Sequence, residues 1–104
     1  MFIVVFVTCK NKREANKIAA ALIDQKLAAC VNVINGIQSV FRWQGKMDQA
    51  NEVLLIIKTR KNLFRKLEKA VKLMHSYTVP EIIALPVSSG NKAYLDWINA
   101  STRK

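Results

Sequence analysis

The stretch Val31-Asn32-Val33-Ile34-Asn35-Gly36-Ile37-Gln38-Ser39-Val40-Phe41-Arg42-Trp43-Gln44-Gly45-Lys46 decides the fold. Val31 and Val33 alternate with Asn32, the period of a strand with one covered face. The period slips across Ile34-Asn35-Gly36 and resumes as Ile37, Ser39, Phe41 and Trp43 against Gln38, Val40 and Arg42. A phase slip with a glycine inside a strand predicts a bulge or bend. Gln44-Gly45-Lys46 is a tight-turn candidate. After Met47 to Asn51, the unbroken apolar run Val53-Leu54-Leu55-Ile56-Ile57 predicts the next strand, buried on both faces.

Outward from this centre, Phe2 to Val7 is β-branched, aromatic and uncharged, and reads as another strand buried on both faces. Asn11 offers an N-cap, and Glu14 three residues on completes a capping-box-like pattern. A helix follows to about Lys26, with Ala15, Ile18, Ala19 and Leu22 along its buried stripe. A second helix, from about Lys61 to Met74, carries Leu63, Leu67, Ala70, Val71 and Met74 inward. Ile82 to Val87 is the fourth strand. A short last helix, opened by the break at Ser88-Ser89-Gly90-Asn91, holds Tyr94, Trp97 and Ile98 on one side.

The order β-α-β-β-α-β plus a terminal helix predicts an α+β, ferredoxin-like sandwich: a four-stranded antiparallel sheet with two helices on one face. At 104 residues, half of them hydrophobic, the chain (1–104) is a single domain. The second and third strands are too long for a lone sandwich of this size. Phe41, Trp43 and Met47 would project beyond the helices, and apolar strand edges invite another chain, so an oligomer is expected.

The apolar start has no basic n-region and no cleavage site, and no run is long enough to span a bilayer, so neither a signal peptide nor a membrane is expected. Two cysteines without CxxC spacing point to a reducing, cytoplasmic setting. Cys9 and Cys30 fall at opposite ends of the sheet, too far apart for a disulfide within one subunit. Net charge is +10, from 17 basic and 7 acidic residues. The basic residues concentrate at Lys58, Arg60, Lys61, Arg65, Lys66, Lys69 and Lys72. No aromatic residues interleave with them, and no zinc-finger or RNP-like spacing appears. The charge is therefore weak support for a polyanion partner, and nucleic acid is not expected.

His75 to Glu81 holds the only histidine and runs into the fourth strand. An imidazole in a loop held by a strand suits a binding site, although a Pro-bounded turn would look the same. Several motifs in order resemble the CutA divalent-cation tolerance family. They are Ala28-Ala29-Cys30-Val31-Asn32, Arg42-Trp43-Gln44-Gly45-Lys46, Glu52 to Thr59, Tyr77-Thr78-Val79-Pro80-Glu81-Ile82, Leu85-Pro86-Val87, Gly90-Asn91 and Tyr94-Leu95-Asp96-Trp97-Ile98. The resemblance implies a ferredoxin-like homotrimer whose subunits extend one another's sheets. It also implies kinship in shape with PII-type signalling trimers, a link to tolerance of copper and other divalent metals, and no firmly attached enzymatic reaction.

The resemblance also implies a copper site in some members, from a cysteine at the end of the first strand and a His-His pair. Here those positions are Val7, Met74 and His75, with Ser76 and Thr78 flanking Tyr77 in place of the usual residues. Topology puts Cys9 beside His75 and Met74 instead, and thiol, imidazole and thioether are ligands suited to copper. Trp43, Lys58, Tyr77 and Glu81 are candidates to line an intersubunit cleft for a small anionic ligand. No Ser-His-Asp set, carboxylate pair or second histidine is present, and Lys10 to Arg13 lacks a glycine-rich phosphate cradle. The chain therefore reads as a binding protein and not an enzyme.

Overall fold

A computed structural model describes residues 1–104. β1 (Phe2–Cys9) leads to α1 (Lys12–Asp24), then β2 (Cys30–Trp43) and β3 (Lys46–Arg60). A single 3-10 turn (Lys61–Leu63) opens α2 (Phe64–Met74), followed by β4 (Ile82–Pro86) and α3 (Lys92–Ser101). The sheet order is β2-β3-β1-β4, with every neighbouring pair antiparallel. This is the ferredoxin-like α+β sandwich that the element order predicts.

The core lies between one sheet face and the helices. Ile3, Val5 and Val7 of β1 with Leu55 and Ile57 of β3 meet Ala15, Ile18 and Leu22 of α1 and Leu67 and Val71 of α2. Asn11 caps α1, its Oδ1 accepting from the Glu14 amide at 2.8 Å. Past Gln25 the chain turns through Lys26 at φ 56°, so α1 ends at Asp24 and not at Lys26.

β1 and β3 alternate strictly between buried and half-buried along most of their length. Burial on both faces, expected from their uncharged runs, is not found in the single chain. Phe2, Val4, Phe6, Leu54 and Ile56 are half-buried on the sheet face away from α1 and α2, and the neighbouring Ile83 and Leu85 of β4 are 52% and 45% exposed. A run with both parities apolar reads the same whether helices cover one face or two.

The phase slip in β2 is a bulge. Ile34 pairs with Leu54 and Ile37 with Glu52, so Asn35 and Gly36 oppose Val53 alone. Gly36 takes φ 76°, the left-handed region open to glycine at little cost. The hairpin then continues to Trp43 opposite Lys46, closed by Gln44 and Gly45 at φ 53° and 78°. Both central residues at positive φ make the twisted two-residue turn that suits a hairpin. β3 therefore begins at Lys46, well before the apolar run that marks it in the sequence. β1 pairs with β3 only between Val53 and Arg60, leaving the distal hairpin two strands wide. It lengthens the molecule to 44 Å against 26 and 23 Å, with Val40, Trp43 and Met47 61%, 61% and 79% exposed. No helix is long and apolar enough to cross a membrane.

Leu67 is fully buried where α2 meets the sheet. Leu67→Ala should lower the unfolding free energy by about 2–5 kcal/mol, read as a shifted midpoint in urea at fixed protein concentration.

Candidate functional site

The end of β1 and the segment leaving α2 meet as the topology predicts. Cys9 closes β1 opposite Val53, and His75 caps α2. The Cys9 thiol, a Glu14 carboxylate oxygen and a His75 ring nitrogen lie within 4.8 Å of one another. A tetrahedral ion bound at about 2.0–2.3 Å from each atom holds its ligands roughly 3.3–3.8 Å apart. The donors of this cluster, up to 4.8 Å apart, would therefore close on one ion with a movement of about 1 Å. Met74 ends α2 and packs against the core.

His75 is fixed on both ring nitrogens. Its side chain is wholly buried. Nε2 lies 2.7 Å from the Thr8 carbonyl, to which it donates, and Nδ1 accepts from the Tyr77 amide at 3.1 Å. Nδ1 also lies 4.0 Å from Glu14 Oε2. An ion at Nδ1 would have to displace the Tyr77 amide.

Glu14 does more than complete the helix cap. Its Oε1 accepts from the Ser76 amide at 2.7 Å and its Oε2 from the Lys10 amide at 3.3 Å. Burial works to raise its carboxyl, but the hydrogen bonds from Ser76 and Lys10 and the nearby His75 outweigh it and hold the group below its usual value. Cys9 goes the other way. Burial, then the negative fields of Glu14 and Glu52, push its thiol up to about 12, so it is protonated at neutral pH.

A second acidic pair adjoins the cluster. Glu52 is 8% exposed, and its Oε2 accepts from the Tyr77 hydroxyl at 2.8 Å. Burial, then the bond to Glu52, raises the Tyr77 phenol to about 12. Burial, then Glu52, raises the Glu81 carboxyl. Tyr77 and Glu81 thus share one neighbourhood around Glu52. Trp43 sits apart at the hairpin tip. Lys58 is five residues along β3 from Val53, its ammonium on the Asn32 side-chain oxygen. One chain does not bring these four cleft candidates together. Cys30 pairs with Lys58 while Cys9 pairs with Val53, and both thiols are free.

Sequence reasoning missed Glu14 and Glu52. Glu14 was fully accounted for as a cap residue. Glu52, at the edge of an apolar run, carried a weak signal as a carboxylate that must find a partner.

The fold and this cluster define a class: a ferredoxin-like α+β subunit with sulfur, oxygen and nitrogen donors gathered at one end of its sheet. Residues 3–101 match the model of the CutA1 divalent ion tolerance protein family. The Divalent-cation tolerance protein CutA of Thermus thermophilus is 48% identical over 99 residues, covering 95% of this chain and 96% of that protein. Protein CutA 1, chloroplastic, of Oryza sativa is 51% identical over 102 residues, but the chain spans only 58% of its length. The crystal structure of CutA1 from Oryza sativa superposes with a TM-score of 0.96 at 50% identity, covering 99% of this chain and 94% of that one. The periplasmic divalent cation tolerance protein CutA of Archaeoglobus fulgidus gives 0.96 at 43%, covering 99% and 100%. The chain belongs to the CutA1 divalent ion tolerance family.

Two outcomes check this geometry. Because the Glu14 carboxyl is depressed in the fold, the unfolded chain binds the extra proton as pH falls. Its contribution to stability is complete above the ordinary carboxyl value of 4.5 and disappears as pH drops through the lower folded value. Glu14→Gln should flatten that acid limb in thermal melts from pH 6 to pH 2. Tyr77→Phe strands the buried Glu52 oxygen and should cost about 1–3 kcal/mol in denaturant unfolding.

Proposed function

We propose that this chain serves divalent-cation tolerance by holding a borderline metal ion, copper or zinc, at Cys9, Glu14 and His75. The observation that carries this reading is the convergence of the three donors within 4.8 Å. Thiolate, carboxylate and imidazole together suit a borderline divalent ion, with Met74 next in sequence to offer a soft thioether to copper. The fields of Glu14 and Glu52 that disfavour a thiolate favour a cation. Binding would release the Cys9 proton, so affinity rises with pH.

The working unit in this reading is a homotrimer. Its support is the apolar sheet face left open in one chain, together with the hairpin that overhangs it. In such an assembly Trp43, at the end of the overhanging hairpin, is the aromatic able to reach a neighbour's Tyr77 and Glu81. A cleft for a small ligand would then be built from two subunits. The two free thiols favour a reducing, cytoplasmic compartment. The chain is read as a binding protein and not an enzyme.

Anaerobic titration of the reduced protein with copper and with zinc, against a competing chelator, tests the site. Cys9→Ser and His75→Ala should each weaken binding at least tenfold, and Glu14→Gln by less, with one proton released per ion. Binding no tighter than chelator background, or unchanged in the variants, overturns the metal reading. A stable monomer in sedimentation at micromolar concentration overturns the trimer.

A further inference from the structure

A groove between the end of α1 and the outer side of α2 has no part in the donor cluster. It encloses about 680 Å³, and lysines reach it from three places in the chain: Lys26 after α1, Lys66 and Lys69 on α2, and Lys104. Asp24 is the one acid on its walls. All four lysines are exposed, and none has a carboxylate within 4.0 Å, the three ion pairs of the chain involving other residues.

Three features in and beside this groove oppose the folding of the chain. Lys26 stands at φ 56°, the position after a helix where glycine is the unstrained choice. Arg65 and Lys66 occupy the first turn of α2, against the positive end of the helix, where the sequence places no acid. Lys69 then follows Lys66 by three residues and Arg65 by four, setting like charges side by side. The first is steric and is unchanged by a ligand; the other two are repulsions, opposed on α2 only by Glu68, which is itself paired with Lys72, and an anion in the groove would relieve them.

We propose that this groove binds a linear polyphosphate chain. Its cations are ammonium groups, which meet phosphate as point charges without the planar fork of arginine. No aromatic ring lines it, so it offers no platform on which bases could stack, and what it can recognise is phosphate alone. Its lysines come from separate elements around one open groove, a spacing that the successive charges of an elongated anion can follow. Leu73, 80% exposed, is the one large apolar side chain that the groove presents to solvent. A neighbouring groove shares Lys69 and Leu73 and adds Arg65, Lys72 and Glu68, the last two paired at 3.6 Å, so Arg65 is the cation that extends the track along α2. Both helices lie on the sheet side opposite the open apolar face, so assembly through that face leaves the groove accessible.

Calorimetric titration of the intact protein with medium-chain inorganic polyphosphate tests the proposal. A single-stranded oligonucleotide of equal charge and phosphatidylserine vesicles serve as the other arms. Affinity for polyphosphate should fall steeply from 50 to 200 mM salt. Lys66→Gln combined with Lys69→Gln should weaken binding about tenfold and reduce the log–log salt slope by about 1.4, roughly 0.7 per lost contact as for single strands. Lys12→Gln combined with Arg13→Gln, which removes the same charge at the far end of α1, should change binding by less than about twofold. Equal losses in the two pairs would reduce the effect to net charge and overturn the proposal. So would binding of the oligonucleotide or the vesicles as tight as that of polyphosphate, or no polyphosphate binding at 50 mM salt. Native circular dichroism spectra, with melting temperatures no lower than that of the unsubstituted protein in both pairs, confirm that the comparison is made on folded protein.

Discussion

The antiparallel register of β1 against β3 is the constraint on which the rest of the structure depends. Pairing Cys9 with Val53 and Phe2 with Arg60 fixes which parity of each strand faces the helices. Val5, Val7, Leu55 and Ile57 turn inward together, and a slip of one residue would exchange the whole set for the open face. The same register leaves everything in β3 before Val53 without a β1 partner, so the distal hairpin projects alone. It also places the last residue of β1 beside the exit of α2. The core, the overhang and the donor cluster thus follow from one alignment.

Much of the fold was legible because independent signals agreed. The bulge showed as a broken period with a glycine in it, and the hairpin as a Gly-containing turn. Two features were hidden. Met47 to Asn51 is mostly polar, with no strand-like alternation, yet it pairs because β2 runs beside it over its whole length. The uncharged runs of β1 and β3 could not reveal that helices cover only one face, since an unpartnered apolar face and a covered one have the same composition.

The site was legible where topology alone decided it. Strand order puts Cys9 and His75 at one end of the sheet, whatever their side chains do. Glu14 was masked because the cap explained it completely, although its carboxylate also reaches Ser76, 62 residues away. Trp43 and Lys58 were grouped with Tyr77 and Glu81 by the resemblance, and one chain leaves them apart. Contacts that reach between subunits leave no periodic trace within one sequence.

The placement of β1 within the sheet bears on how the chain is made. β1 precedes the other three strands in the chain, but its two partners are β3, ending at Arg60, and β4, ending at Pro86. At roughly 5–20 residues per second, β1 waits several seconds for either neighbour. During that interval the uncharged segment Phe2–Cys9 is an unpaired, β-prone strand, the kind of segment that joins copies of itself on neighbouring chains. Lys10, Lys12 and Arg13 follow it directly. Like charges beside an apolar strand are the placement that opposes its joining to copies of itself, a property that these positions have before the fold exists.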